Sequence, residues 1–201
     1  MAPVAEAMAR GWPDAEVANI LDDTLSRDRA AAPELTPELA ARIVALADYA
    51  RDLGANAILY TCSAFGTAIE TAAEISPVPV FKPNQAMFDA ALARGQNIAM
   101  VYTFAPALAG MEAEFHDACA TAELTSVYAE GAMAALQAGD VSDHNRLVAE
   151  AVASIQNADT IMLAHFSTSR AMEAAAAAAA TDIPVLSAPD AAVAALRQAL
   201  G

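Results

Sequence analysis

Two stretches of the sequence match each other and decide the fold: residues 55–66, ANAILYTCSAFG, and residues 158–169, ADTIMLAHFSTS. Each begins with small and polar residues, continues as an apolar run and ends in small, aromatic and hydroxyl-bearing residues. A continuous apolar run of this length indicates a strand buried on both faces, and the residues after it indicate the start of a helix. Aligned residue by residue, the two stretches set Cys62 against His165, 103 positions later.

The match extends to the flanking segments and makes an internal repeat. Residues 42–45, RIVA, correspond to residues 146–149, RLVA, and residues 78–81, VPVF, correspond to residues 183–186, IPVL. All these matches occur in the same order, with offsets between 103 and 105. A repeat of this kind indicates two copies of one structural unit.

Strands alternate with helices in both copies, which is the pattern of parallel sheets in α/β proteins. The predicted strands are residues 17–21, 57–60, 78–81, 98–102, 124–129, 160–164 and 183–186. We predict an α/β fold of two pseudo-symmetric lobes, each a small parallel sheet flanked by helices. The first lobe comprises residues 1–96 and the second residues 97–188, and the C-terminal helix, at about residues 189–201, packs on the first lobe.

The repeat also predicts a strand that the printed sequence does not contain. Ala2-Pro3 aligns with Ala105-Pro106, and the strand at residues 98–102 comes shortly before the second pair. The corresponding first strand of the first lobe would lie before Met1. We therefore expect a longer native N-terminus, and translation of the upstream DNA would test this.

Composition limits the partners of the chain. Its 201 residues include 25 acidic and 10 basic ones, for a net charge of −15. Such a surface repels phosphate backbones and anionic lipids, so we predict no nucleic-acid or membrane partner. Although 57% of the residues are hydrophobic, no apolar run approaches the roughly 20 residues of a membrane span. Only two cysteines and no signal peptide indicate a cytoplasmic protein.

Reactive and polar residues follow the matched strands, and α/β proteins bind ligands beyond the carboxyl ends of their strands. Cys62 lies near a helix start, where N–H groups and the helix dipole favour a thiolate and can hold a carboxylate. His165 occupies the equivalent place in the second lobe. We predict Cys62 and His165 as catalytic residues. The predicted substrate-binding residues are Thr61, Ser63, Ala64, Thr103, Phe166 and Ser167.

A structural role competes with catalysis at each of these positions. A lone cysteine or histidine after a strand is more often a core residue, and only the symmetric placement of Cys62 and His165 favours function. Cys119 lies on an apolar helix face and is predicted to be a core residue, whereas His116 and His144 are predicted to be solvated. The sequence has no zinc-ligand spacing and no glycine-rich phosphate loop, so we predict neither a metal nor a cofactor.

The stretch Tyr60–Gly66 resembles the first cysteine motif of the aspartate/glutamate/hydantoin racemase superfamily, and Ile161–Thr168 lies where the second cysteine motif belongs. The resemblance covers essentially the whole chain. It implies a cofactor-independent active site in the cleft between two lobes, where one cysteine removes a proton next to a carboxylate and the other returns a proton to the opposite face. It also allows a homodimer. The superfamily includes maleate isomerase and arylmalonate decarboxylase.

The chain departs from this pattern because His165 stands at the second cysteine position. Histidine can act as a general acid or base near neutral pH. The resemblance therefore implies a racemase or isomerase acting on a small carboxylate, of the amino acid, hydantoin or dicarboxylate class. The alternatives are a decarboxylase of a malonate-type acid with Cys62 as proton donor, covalent attack by Cys62 assisted by His165, and a carboxylate-binding protein without catalysis.

Overall fold

Two separate parallel sheets form the framework of the computed structural model, which describes residues 2–32, 34–180 and 182–201. The first sheet pairs β1 (Ile58–Leu59) with β2 (Val80–Phe81). The second sheet has the order β4-β3-β5-β6 and consists of β3 (Asn97–Tyr102), β4 (Glu123–Tyr128), β5 (Thr160–Leu163) and β6 (Val185–Ser187). All neighbouring strands are parallel, which confirms the predicted α/β fold of small parallel sheets flanked by helices.

Helices flank both sheets. They are α1 (Ala2–Gly11), α2 (Leu25–Ala31), α3 (Pro37–Asp52), α4 (Gly66–Ile75), α5 (Gln85–Leu92), α6 (Leu108–Ala118), α7 (Ala132–Gln137), α8 (Val141–Ala153), α9 (Met172–Ala178) and α10 (Ala188–Leu200). Three 3-10 turns, Ser63–Phe65, Ala105–Ala107 and Phe166–Ala171, each lead from a strand into a helix. Within the described part of the chain, no helix is both long and apolar enough to cross a membrane. The homodimer and the cytoplasmic location stay predictions.

Helix α3 shows how local sequence sets the bounds of an element. The side chain of Thr36 accepts a hydrogen bond from the backbone N–H of Leu39, and Pro37 occupies the first helical position. Beyond the other end of the helix, Gly54 has φ of 87°, a left-handed conformation that glycine adopts without steric cost. Both helix ends therefore follow from residue types that the sequence displays.

The core lies on both faces of the second sheet. On one face, Ile98, Met100 and Met162 pack with side chains of α5, α6 and α10. On the other face, Val101 and Leu163 pack with side chains of α7, α8 and α9. Because helices cover both faces, β3 and β5 can be continuous apolar runs, as predicted.

The C-terminal helix α10 connects the two halves of the chain. It packs against α1 and α5, and the Nη2 of Arg10 lies 2.7 Å from Oδ1 of Asp190 in a surface salt bridge. Ala188 and Ala192 of α10 are fully buried in the same cluster as Phe88 of α5. Helix α10 thus contacts first-half helices, while the lobe boundaries themselves stay a prediction.

The strand predicted at residues 17–21 is wrong. The segment is not a strand, and Val17 and Leu21 are 45% and 67% exposed. In the second sheet, β4 is held by β3, but among the described residues β1 pairs only with β2. A strand needs a neighbour for its N–H and C=O groups, and residues 17–21 have none in this sheet. The first sheet accordingly has two strands, against four in the second.

The prediction that His144 is solvated is also wrong. His144 is fully buried, and its Nδ1 lies 2.9 Å from the backbone oxygen of Ala132. It shares one face of α8 with Val148 and Val152, which are buried as well, so the helical period places it inward. His116 is exposed, as predicted. Cys119 ends α6 and packs partly against the core, which agrees with its predicted structural role.

Candidate active site

Cys62 lies on the loop that follows β1, which we call the Cys62 loop (residues 60–65). Its backbone is extended, the 3-10 turn Ser63–Phe65 follows, and α4 begins at Gly66. Phe65 is buried against α3 and α4 and holds the loop on the first half of the molecule. The Cys62 side chain is a free thiol exposed to solvent. The loop therefore presents a reactive group near the start of a helix, as the sequence predicts.

Tyr60 and Arg29 attach the two ends of this loop to neighbouring helices. The hydroxyl of Tyr60 donates a hydrogen bond of 2.6 Å to the backbone oxygen of Ile43 in α3. Burial raises the pKa of Tyr60 to about 12, so the phenol stays protonated. The Nε of Arg29 donates to the backbone oxygen of Ala64 at 3.2 Å. The carbonyl of Ala64, a predicted substrate-binding residue, thus already has a partner.

Glu114 of α6 lies directly over the start of α4. A Cβ added at Gly66 would lie 2.7 Å from Oε1 of Glu114, so the glycine permits this approach. Burial raises the pKa of Glu114, and nearby Lys82 and Asn84 oppose that shift. The Asn84 side chain is almost fully buried, yet its Nδ2 makes no hydrogen bond of normal geometry with a described residue. A half-buried carboxylate therefore joins the second half of the chain to the Cys62 loop.

His165 lies on the turn that follows β5, which we call the His165 turn (residues 164–171). Its backbone has φ of 68° and ψ of 143°, a region that is nearly reserved for glycine. Such a conformation costs on the order of 1–3 kcal/mol in a residue with a side chain and is concentrated at functional sites. Phe166 and Thr168 of this turn are buried, so the turn is attached to the protein interior on both sides of Ser167. The surrounding packing therefore holds His165 in a strained conformation.

The imidazole of His165 is neutral at pH 7. Burial lowers its pKa to about 4, because the charged form loses its hydration. Its Nε2 is buried and has no hydrogen-bond partner among the described residues. A neutral imidazole with a free ring nitrogen can accept a proton or a hydrogen bond from a bound ligand.

Two more buried hydroxyls in the second half lack partners. The Oγ1 atoms of Thr103 and Thr168 make no hydrogen bond with any described residue, although both side chains are almost fully buried. Thr103 directly follows β3, and Thr168 lies on the His165 turn after β5. A buried polar group without a partner costs about 1–3 kcal/mol. With Nε2 of His165, these atoms form a set of unsatisfied groups near the carboxyl ends of adjacent strands.

A cavity of about 420 Å³ joins the Cys62 loop to the His165 turn. Its lining residues are Pro3, Val4, Thr61, Leu136, Phe166, Ser167 and Arg170. The carboxyl ends of β1 and β5 therefore meet at one space, and this is the edge of the sheet beyond which α/β proteins bind ligands. A larger cavity of about 510 Å³ lies between α1 and α10 and contains none of the predicted site residues.

The structure brings three of the predicted site residues to this cavity. Thr61, Phe166 and Ser167 line it. Cys62 and His165 adjoin lining residues in the chain without being among them, and Ser63, Ala64 and Thr103 are also outside the lining. Sequence reasoning missed Arg170, which does line the cavity. The available signal was its spacing of three residues from Ser167 within one turn.

Two parallel sheets whose carboxyl ends meet at one cavity define a two-lobed α/β architecture. A model of the Asp/Glu/Hydantoin racemase family matches residues 2–196. The chain belongs to the Asp/Glu/hydantoin racemase family, which confirms the resemblance seen in the sequence. Family and fold together indicate a racemase-like enzyme.

Solved structures of glutamate and allantoin racemases share this fold. A glutamate racemase isoform from Bacillus anthracis has a TM-score of 0.70 and 13% identity, and the match covers 98% of this chain and 76% of that one. A glutamate racemase from Francisella tularensis in complex with D-glutamate has a TM-score of 0.66 and 18% identity, and the match covers 98% of this chain and 75% of that one. An allantoin racemase from Klebsiella pneumoniae has a TM-score of 0.67 and 15% identity, and the match covers 98% of this chain and 82% of that one. A search of curated proteins found no match to the chain.

Proposed function

We propose that this protein is a cofactor-independent racemase or isomerase that moves a proton at the carbon next to the carboxylate of a small acid. The observation that carries the proposal is the shared cavity, where Thr61 of the Cys62 loop meets Phe166 and Ser167 of the His165 turn. A volume of about 420 Å³ suits a small ligand. The similar structures are racemases of glutamate, an acyclic dicarboxylic amino acid, and of allantoin, an uncharged ring.

Cys62 and His165 act as the two proton-transfer groups in this proposal. In one direction, neutral His165 takes the proton from the substrate carbon and the Cys62 thiol gives a proton to the opposite face. The substrate loses one proton to His165 and gains one from Cys62, so the products are an imidazolium, a thiolate and the inverted substrate. In the reverse direction, the thiolate is the base and the imidazolium is the acid.

The low pKa of His165 determines which of these states the free enzyme holds. Since burial keeps the imidazole neutral, His165 is ready to act as the base, and Cys62 is the opposing proton donor in this proposal. A bound carboxylate adds negative charge and raises the pKa of the histidine toward the operating pH. The substrate thereby makes the imidazolium form accessible. The hydroxyls of Thr61 and Ser167 hold that carboxylate.

Exchange of the substrate proton with solvent tests the proposal. The protein is incubated in D₂O with aspartate, glutamate, a 5-substituted hydantoin and allantoin, and deuterium at the reacting carbon is followed by ¹H NMR. We expect Cys62→Ala and His165→Ala to lose exchange by about 10²–10⁴-fold, the usual contribution of a general acid or base. The matched control is Cys119→Ala, because that residue directly follows α6 and is not among the residues that line the cavity. The assignment is wrong if both site variants remain fully active.

The same assay separates the alternatives drawn from the sequence. Release of CO₂ from a malonate-type acid, dependent on Cys62, would identify a decarboxylase. Trapping of a covalent adduct on Cys62 would identify nucleophilic attack. A ligand that binds without turnover would identify a binding protein, provided that the pH dependence of alkylation gives the Cys62 thiol an ordinary pKa of about 8.5.

A further inference from the structure

Arg170 differs from every other cation in the described part of the chain. Six cations form salt bridges: Arg10, Arg27, Arg42, Arg51, Lys82 and Arg146. Three others donate to backbone oxygens: Arg29, Arg94 and Arg197. Arg170 makes neither kind of contact with the described residues, and it lines the cavity between the Cys62 loop and the His165 turn. Its five N–H donors are therefore free to bind a ligand.

The charge of the cavity wall contrasts with the charge of the whole chain. The net charge is −15, with acidic residues outnumbering basic ones by 25 to 10. Yet the described residues that line the cavity include one arginine and no aspartate or glutamate. The guanidinium therefore acts in a space whose other polar lining residues are the uncharged Thr61 and Ser167. A concave wall of this kind concentrates anions.

The spacing of Ser167 and Arg170 sets how far apart two polar groups of a bound ligand would lie. Both lie on the 3-10 turn Phe166–Ala171, where residues three apart stand on the same side. One such turn advances roughly 6 Å along its axis. A carboxylate held near Ser167 would therefore leave Arg170 about one turn away. The terminal carboxyl carbons of a four- or five-carbon diacid lie about 4–5 Å apart at ordinary bond lengths, within reach of a flexible arginine side chain.

We propose that Arg170 binds a second carboxylate of the ligand and makes the site selective for dicarboxylates of four or five carbons. The proposal rests on the proposed function, since it takes the first carboxylate to lie near Thr61 and Ser167. A guanidinium binds a carboxylate through two parallel N–H···O bonds, which gives both affinity and orientation. An uncharged ring or a monoacid would leave this donor pair unused.

Lys82, the sole lysine, is not available for this role. Its Nζ donates to Oε1 of Glu70 at 2.7 Å, and Glu114 lies close by. Two carboxylates already surround it, so a third would be repelled. Among the described residues, Arg170 is the cation that both lines the cavity and has no carboxylate partner.

Matched pairs of a diacid and its monoamide test the charge preference. Dissociation constants are measured by calorimetry for succinate against succinamate and for glutarate against glutaramate. We expect one diacid to bind the wild-type protein at least about tenfold more tightly than its monoamide, which corresponds to about 1.4 kcal/mol. Arg170→Gln should lose that preference and leave monoamide binding unchanged. Arg94→Gln is the control, because Arg94 donates to the backbone oxygen of Ala90 in the preceding helix α5 and is not among the residues that line the cavity.

Three results would overturn the proposal: equal binding of diacid and monoamide by the wild type, full retention of the preference in Arg170→Gln, or no binding of either diacid at millimolar concentration. Arg170 is exposed and unbonded to the described residues, so the variant should keep the wild-type circular dichroism spectrum and Tm. Binding needs no turnover and is also measured on Cys62→Ala. If the wild type prefers the diacid but exchanges no substrate proton for deuterium, only the proposed function is refuted. If the wild type exchanges the proton but shows no diacid preference, only the role of Arg170 is refuted.

Discussion

His165 unites two energetic costs in one residue. Its left-handed backbone is strained, and its buried Nε2 has no partner among the described residues. A histidine kept only for packing would gain from a hydrogen bond to a nearby carbonyl, as His144 does with Ala132. The two histidines therefore show the contrast between a satisfied core residue and one whose ring nitrogen is left for a ligand.

The low pKa of His165 predicts how stability depends on pH. In the unfolded chain, the histidine protonates near its ordinary pKa of 6.5, whereas in the folded protein it stays neutral down to about 4. Between these values the unfolded state binds more protons, so the free energy of unfolding falls as the pH falls. The loss reaches at most about 3 kcal/mol at pH 4 and is absent above about pH 7.

Urea unfolding of the wild type and of His165→Gln at several pH values measures this effect. Glutamine is neutral at every pH. The difference in unfolding free energy between the two proteins should therefore change between pH 7 and pH 4 and stay constant above pH 7. Carboxylates held by arginine, such as Asp22 with Arg42, contribute equally to both proteins and cancel. A difference that does not vary with pH would contradict the burial of a neutral imidazole.

At the residue level, the sequence was informative where symmetry could be used. The repeat set Cys62 against His165 and led to Thr61, Phe166 and Ser167 as predicted substrate-binding residues. These three line the cavity, and their binding role stays a prediction. The repeat did not identify Arg170, because the three-residue spacing of this arginine from Ser167 becomes a signal only when the turn Phe166–Ala171 is known. Whether an arginine is free depends on where all 25 acidic residues lie in space, which one sequence does not reveal.

At the level of elements, helices with clear end signals were predictable and weak strands were not. Thr36 and Pro37 mark the start of α3 through local chemistry alone. Residues 17–21 have an apolar composition typical of a strand, but a strand also requires a neighbour that lies elsewhere in the chain. His144 was misassigned for a related reason. The buried face of α8 depends on which elements pack against it, and α7 covers that histidine.

The contact between α4 and α6 predicts a substitution whose effect changes sign. Gly66→Ala should cost up to about 1 kcal/mol in unfolding free energy, because the new Cβ would lie 2.7 Å from Oε1 of Glu114 and would displace this side chain from its half-buried position. In a Glu114→Ala background that contact is gone. The same substitution should then stabilise α4 by up to about 1 kcal/mol, since alanine favours a helix more than glycine does.

Urea unfolding of the wild type, the two single variants and the double variant completes a double-mutant cycle. Gly110→Ala on α6 is the control for helix propensity, because a Cβ there meets no neighbouring atom within 4 Å. If Gly66→Ala has the same effect with and without Glu114, the Glu114 side chain does not contact the start of α4.

On the scale of the whole molecule, α10 ties the two halves of the chain together. Its buried residues share one hydrophobic cluster with Phe88 of α5 and Met162 of β5, which lie on opposite sides of the predicted lobe boundary near residue 96. The cavity likewise takes its walls from both ends of the chain, since Val4 lies on α1 and Ser167 on the His165 turn. The site geometry therefore depends on how firmly α10 holds α1 and α5 against the second sheet.

This connection predicts a single cooperative unfolding transition that a charge in α10 weakens as a whole. Ala192 is fully buried, so Ala192→Glu should cost at least about 3 kcal/mol, because the carboxylate would be desolvated without a partner. Ala194→Glu, on the exposed face of the same helix, should change the unfolding free energy by less than about 0.5 kcal/mol.

Two probes of denaturant unfolding measure this effect. Trp12, the single tryptophan, follows α1 and reports on the first half, while circular dichroism reports on all helices. In Ala192→Glu both signals should shift together to lower denaturant concentration. Separate transitions for the two probes would mean that the halves fold independently and that α10 does not couple them.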